Sequence, residues 1–290
     1  MATSMARILR EKLHQNKLIM APGAYDGISA RLVEEAGFPA LYLTGAGVAS
    51  SRLGMPDIGL LTLPEMMDTA KNIVNSVNIP VICDIDTGYG NALNLMRAVR
   101  ESLRTGLAAV QIEDQITTKR CGHISGKQLV DREEMVKKIR AAVRERGENE
   151  LVLIARTDAI AVHGFEDAID RGRAYVEAGA DVLFVEAPTT VEQMRTICCE
   201  FKGVPLLVNI VEGGGKTPCL SARELQEMGY RMAIYPVAAW VSAIKAIRDT
   251  LSVLKAEGTT SGRADQMVSF KDMFELVGLS SCVELEKEFL

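Results

Sequence analysis

Apolar residues along this chain gather into short, nearly unbroken runs at Leu18–Ala21, Ala40–Leu43, Pro80–Ile85, Ala108–Ile112, Leu151–Ala155, Asp181–Val185, Pro205–Ile210 and Arg231–Tyr235. Runs of this length, rich in β-branched and aliphatic side chains, predict strands. They do not alternate apolar with polar, which is the pattern of parallel strands covered on both faces. The stretches between them carry helical spacing, and several end on Gly (37, 106, 179, 229), as helices do when they close in a left-handed turn. Eight strand-then-helix units predict an α/β fold, a (β/α)8 TIM-type barrel, with an open doubly wound sheet as the alternative. No linker interrupts the pattern. Residues 1–290 are therefore expected to form a single barrel domain, with a helical tail from about residue 257 after the loop Glu257–Asp265.

Composition then removes whole classes of partner. The net charge is −5 and only 5% of residues are aromatic, unlike the basic, aromatic-bearing surfaces that hold nucleic acid. No apolar run approaches the ~20 residues of a membrane span. Neither nucleic acid nor membrane is an expected partner. The amino-terminal segment, with Glu11 inside it, lacks the apolar core of a signal peptide and predicts a short amphipathic helix. Six cysteines without a C-x-x-C pair are expected to stay reduced in a cytoplasmic protein. His14, His123 and His163 are too scattered for a His-rich zinc site, so a metal would be held by carboxylates.

Polar residues collect where the predicted strands end, the edge at which parallel barrels place their chemistry. Asp84 and Asp86 lie at the end of the third run, Glu113 and Asp114 follow the fourth, Arg156 and Asp158 the fifth, Glu186 the sixth, and Asn209 and Glu212 lie at the seventh. Two apart on one strand, Asp84 and Asp86 would face the same side and repel unless a cation lies between them. Oxygen donors favour Mg²⁺ or Mn²⁺, with Asp57 and Glu113 completing the shell; Arg156 is the alternative partner of the pair. Asp114 and Asp158 have a structural alternative, as acceptors of backbone N–H groups.

The loop Lys119-Arg120-Cys121-Gly122-His123 surrounds a thiol with three potential cations, which would lower its pKa and suit it to proton transfer; a solvated basic loop is the other reading. Two glycine-rich segments, Gly213–Thr217 and Gly45–Gly47, fail the phosphate-loop and dinucleotide templates. Both still offer backbone N–H groups to a carboxylate.

Taken in order, Asp84–Gly90, Ile112–Gln115, Lys119–His123, Ala155–Ala159 and Glu212–Gly214 resemble the isocitrate lyase / phosphoenolpyruvate mutase superfamily over nearly the whole chain. The K-R-C-G-H loop resembles the carbon–carbon lyase branch, and the short chain its 2,3-dimethylmalate and 2-methylisocitrate lyases. The resemblance implies that Thr44, Gly45 and Ala46 bind an α-keto acid carboxylate, although Thr44 and Ala46 depart from the family's Ser-Gly-Gly. It implies Mg²⁺ on Asp84 and Asp86, with Asp57 and Glu113 outside them. Arg156 would meet a substrate carboxylate or oxyanion. Cys121, Gly122, His123, Glu186 and Asn209 would surround the second product, and Lys119 and His123 would assist catalysis. It further implies a homotetramer with carboxyl-terminal helices exchanged between subunits, and a di- or tricarboxylate substrate. The expected reaction is cleavage of a 2-methyl-substituted malate to pyruvate, with 2,3-dimethylmalate ahead of 2-methylisocitrate. Oxaloacetate decarboxylation or hydrolysis, and a non-catalytic metabolite-binding barrel, are the further alternatives.

Overall fold

Each apolar run becomes a strand, and each strand is buried along its length but for the half-buried Met20 and Tyr235, as its composition requires. The computed structural model describes residues 4–117, 119–122 and 124–290. Strands β1 (Ile19–Ala24), β2 (Leu41–Leu43), β3 (Val81–Asp84), β4 (Ala109–Glu113), β5 (Val152–Thr157), β6 (Val182–Val185), β7 (Leu206–Asn209) and β8 (Met232–Tyr235) are parallel and close into a barrel, β8 pairing with β1. The closed ring excludes the open sheet.

Helices α1 (Met5–His14), α2 (Gly27–Glu35), α3 (Gly45–Val48), α4 (Leu63–Val74), α5 (Ala92–Thr105), α6 (Arg132–Arg146), α7 (Phe165–Glu177), α8 (Val191–Glu200), α9 (Ala222–Met228) and α10 (Ala238–Glu257) accompany the strands in chain order. Helices α11 (Phe270–Leu276) and α12 (Leu279–Phe289) follow as the tail.

The core has an inside and an outside. Ile19, Tyr42, Ile82, Ile154, Phe184 and Met232 fill the barrel, and Leu9 and Leu13 of α1 join the same cluster. That places α1 across the amino-terminal mouth. Arg10 fixes it there, donating to the carbonyls of Glu150 and Leu151 and to Asp181 at the entries of β5 and β6. Outward-facing strand residues such as Val81, Cys83 and Leu153 pack instead against the surrounding helices.

The strand ends differ from the sequence reading in ways that matter for the site. β5 runs on through Arg156 and Thr157, so Arg156 projects from a rigid strand opposite its register partner Glu113. β3 stops at Asp84, and Asp86 lies beyond it with a left-handed backbone (φ +49°). The two-apart strand argument therefore does not apply to Asp86. Its carboxylate converges with that of Asp84 because the chain turns there. A non-glycine residue in this conformation is a strained position, of the kind that clusters at functional sites.

Candidate active site

The carboxyl-terminal mouth of the barrel holds a cavity of about 80 Å³ lined by Tyr42, Thr44, Ala46, Asp57, Asp84, Glu113, Lys119, Cys121, Gly122, Arg156 and Asn209, with Val211, Ile234, Pro236 and Val237 on the β7–β8 side. That volume is small beside the few hundred Å³ usual for ligand sites. Larger hollows, of about 570 Å³ beneath α8 and 500 Å³ between α2 and α10, contain none of these carboxylates.

Burying so many acids in one place demands cations. Lys119, only 3% exposed along its side chain, supplies one: its ammonium pairs with Asp57 and lies 2.8 Å from Asp86 Oδ1. Arg156 supplies the other. It grips Asp158 through two hydrogen bonds of 2.9 and 3.1 Å and approaches Glu113 at 3.4 Å and Glu186 at 3.7 Å. The Asp84–Asp86 pair is thus served by Lys119, whereas Arg156 was its expected alternative partner. The lysine reaches across because the 119–122 backbone lies over Asp57, Cys121 N–H donating to the Asp57 carbonyl at 3.3 Å.

These neighbours set the titration of each group. Burial pushes Asp86 up to about 7, against the pull of Lys119. Asp84 is raised, and Glu113 well above its usual range, by the same desolvation, which Lys119 and Arg156 oppose. Burial alone would discharge Lys119 and Arg156, but the surrounding carboxylates outweigh it and hold both charged. Asp158 is the exception among the acids: desolvation is overridden by Arg156 and Lys127, and its pKa falls to about 2. A depressed carboxylate contributes stability above its unfolded pKa of about 4 and loses it as pH falls through the folded value. Asp158→Asn is therefore expected to be less stable than wild type at pH 6, with the deficit shrinking between about pH 4 and pH 2. Thermal melts across that range check this; a deficit independent of pH contradicts it.

The donor set fits a hard divalent cation. It is oxygen-only and buried, and desolvation raises three of its carboxyls, so an arriving cation would relieve them. Glu113 Oε1 accepts no hydrogen bond among the described residues. Asp84 Oδ1 takes bonds from Asp86 N–H (3.0 Å) and Gln111 (3.3 Å). Space beside the pair is kept by Gly45, where an added Cβ would come within 3.0 Å of Asp84 Oδ2. No three His, Cys, Asp or Glu side chains among the described residues stand ready as a metal cage. An ion held by Asp84 and Asp86 would compete with the Lys119 ammonium for Asp86.

Thr44 caps α3, its hydroxyl accepting from Gly47 N–H at 3.4 Å, so Gly45 and Ala46 open a helical turn whose first N–H groups lack helical partners. Glu186 and Asn209 come together, 3.3 Å apart, at the ends of β6 and β7. Gly122 lies directly on this floor: an added Cβ would overlap Arg156 Nη2 and come within 2.9 Å of Glu186 Cγ. Cys121 lines the cavity. Of the three cations expected around it, Lys119 is committed to carboxylates, Arg120 is exposed and bonds the Ser125 carbonyl, and His123 lies outside the described residues. Asp114 takes the structural alternative. It accepts from Asp158 N–H, Thr157, Tyr175 and Arg171, all within 3.2 Å.

Two side chains absent from the sequence reading also belong here. Tyr42 is buried in the barrel, donates to Gln111 at 2.8 Å and lines the cavity; Gln111 in turn holds Asp84. A polar atom pair inside two apolar strands was the available signal.

The phosphoenolpyruvate phosphomutase family model matches residues 9–255. The 2,3-dimethylmalate lyase of Eubacterium barkeri is 45% identical over 281 residues, covering 97% of this chain and 96% of that one. The 2-methylisocitrate lyase of Aeropyrum pernix is 44% identical over 271 residues, 93% and 86% of the two chains. A crystal structure of 2,3-dimethylmalate lyase superposes with a TM-score of 0.95 at 43% identity, covering 99% of this chain and 96% of that one. With a closed eightfold barrel, acids at its strand ends and a cysteine loop laid over them, the chain belongs to the phosphoenolpyruvate mutase/isocitrate lyase superfamily, with carbon–carbon lyases among its near relatives.

Proposed function

We propose that this chain is a Mg²⁺-dependent carbon–carbon lyase that cleaves 2,3-dimethylmalate between C2 and C3, giving pyruvate and propionate. The observation that carries the substrate choice is the β7–β8 wall of the cavity. Val211, Ile234, Pro236 and Val237 form it, and the cations on the lining, Lys119 and Arg156, are both already paired with acids. An apolar wall suits a methyl group at C3. The third carboxylate of 2-methylisocitrate would need a further cation or N–H cluster there.

Asp84 and Asp86 would hold the ion, with Asp57 and Glu113 around them and Mn²⁺ as the substitute; when bound, it supplies Lewis-acid stabilisation of negative charge on the keto acid half. Thr44, Gly45 and Ala46 orient that half through backbone N–H groups. The C2 hydroxyl proton passes to a cavity carboxylate, a role suited to Glu113 with its Oε1 unbonded among the described residues. As it does so, the C2–C3 bond electrons pass to C3, and the new C2 carbonyl belongs to pyruvate. Arg156 steadies the oxyanion from a buried strand position, a preorganised charge worth several kcal/mol. The departing fragment is a carboxylate-stabilised carbanion, held against Gly122, Glu186 and Asn209. Cys121 delivers its thiol proton to C3 and completes propionate, with Lys119 and His123 on the same loop in support. Closure of the 119–130 loop excludes water from the carbanion.

The test is product release with Mg²⁺, read as pyruvate from 2,3-dimethylmalate and 2-methylisocitrate, glyoxylate from isocitrate, and pyruvate or oxalate from oxaloacetate. The reading expects a kcat/KM preference for the dimethyl substrate. Preference for 2-methylisocitrate overturns the C3 assignment, and turnover of oxaloacetate alone overturns the reaction.

Thiols rather than disulfides at the cysteines suit a cytoplasmic setting. No helix among the described residues is long and apolar enough to cross a membrane. The tail supports a homotetramer with exchanged helices: Val268, Phe270 and Phe289 are 72%, 77% and 78% exposed, and α10 buries no residue. Chains ending at Glu257 are expected to fall to a smaller assembly by light scattering. An unchanged mass contradicts the exchange.

A further inference from the structure

The buried ammonium of Lys127 has no role in the reaction as described, and it does not line the cavity. Its side chain is 1% exposed. Nζ donates to the Gly122 carbonyl at 2.5 Å and to Asp158 Oδ1 at 2.7 Å. Asp158, wholly buried, accepts from Arg156 through both oxygens, so one carboxylate joins a cation from the cysteine loop to a cation from β5. The joint lies one residue from Cys121, at the glycine whose missing Cβ lets the loop backbone rest on Arg156 Nη2.

We propose that Lys127 is a positioning residue: it ties the Cys121–Gly122 backbone to Asp158 and thereby fixes the thiol relative to the Arg156 guanidinium. A purely structural lysine is a poor choice for such a place. Burying an ammonium carries a heavy desolvation penalty, and an apolar side chain of similar length often fills such a site at equal stability. What the charge adds is direction, because it meets one loop carbonyl and one carboxylate oxygen at once. By sharing Asp158 it also leaves Arg156 Nη1 turned toward Glu113, 3.4 Å away at the cavity. The tie joins loop positions five apart, Gly122 and Lys127, so releasing it loosens the carboxyl side of Cys121 while the Asp57 carbonyl still holds its N–H.

The proposal rests on the lyase reading only for its kinetic arm, and the experiment separates the two. Lys127→Met and Lys127→Arg are made in the full-length chain with Mg²⁺ present. The alkylation rate of each cysteine by iodoacetamide is read by peptide mass spectrometry, beside kcat and KM. For Lys127→Met, alkylation of Cys121 is expected to rise about tenfold while buried Cys83 stays protected, as for a local opening. A misplaced thiol is expected to lower kcat about a hundredfold with KM within about threefold of wild type. Lys127→Arg is expected to recover the larger part of both. Unchanged Cys121 alkylation in Lys127→Met overturns the proposal. So does parallel exposure of Cys83, which would mean that the lysine merely holds the fold. Faster alkylation of Cys121 alone upholds the tie even if no pyruvate forms in wild type, a result that would count against the lyase reading and not against Lys127.

Discussion

Cys121→Ser is expected to lower pyruvate formation by about a hundredfold to ten-thousandfold, the range over which a positioned acid contributes. The thiol lines the cavity on a loop pinned at several points: Cys121 N–H bonds the Asp57 carbonyl, and Gln115 bonds the Arg120 backbone in both directions near 2.9 Å. A serine hydroxyl occupies nearly the same space, so the loop and KM should change little. What changes is acidity. A thiol titrates near pH 8.5, within reach of neutral solution, whereas an alkyl hydroxyl does not ionise in that range and exchanges protons with carbon poorly. Steady-state kinetics with matched KM values make the comparison. Activity within about threefold of wild type would remove Cys121 from the proton transfer.

Arg156→Leu carries the second large effect, and it falls on stability as well as catalysis. The guanidinium is the shared partner of Glu113, Asp158 and Glu186, all three almost fully buried. Removing one partner from a buried charge set typically destabilises by about 3–5 kcal/mol, because the remaining charges keep their desolvation penalty. Lys127 still holds Asp158, so Glu113 and Glu186 bear most of the loss. Without Arg156 the Glu113 carboxyl, already raised by burial, loses an opposing cation and shifts further upward, and protonation relieves it. The deficit in urea unfolding should therefore be greatest near pH 8 and shrink toward pH 5. A deficit that grows on acidification contradicts this arrangement. Pyruvate formation should also collapse at pH 8, since the oxyanion loses its fixed cation.

Much of this was legible in the chain, for specific reasons. Apolar runs without alternation leave a strand no exposed face, so a parallel sheet covered on both sides followed from hydrophobicity. Closure into a barrel rather than an open sheet rested on the count of eight units and was decided by the pairing of β8 with β1. Glu113, Arg156 and Glu186 stood out because charged residues ending such runs must be paired or functional. The hidden parts are contacts made over distance. Lys119 reaches Asp57 and Asp86 across two loops, and nothing in K-R-C-G-H says that its lysine is withdrawn from the thiol. Lys127 reads as one more loop lysine until Asp158 is seen beneath it. Tyr42 and Gln111 read as strand interior, since sequence does not tell which face of a short buried strand points inward. The left-handed turn at Asp86 breaks the period on which the strand argument relied.

The most direct test is to follow 2,3-dimethylmalate with Mg²⁺ in D₂O by NMR, with an EDTA control. Cleavage between C2 and C3, with the proton returned to C3 from an exchangeable thiol, predicts equimolar pyruvate and propionate, a single deuterium at C2 of propionate, and silence in EDTA. No pyruvate from this substrate, or turnover undiminished by EDTA, would contradict the account.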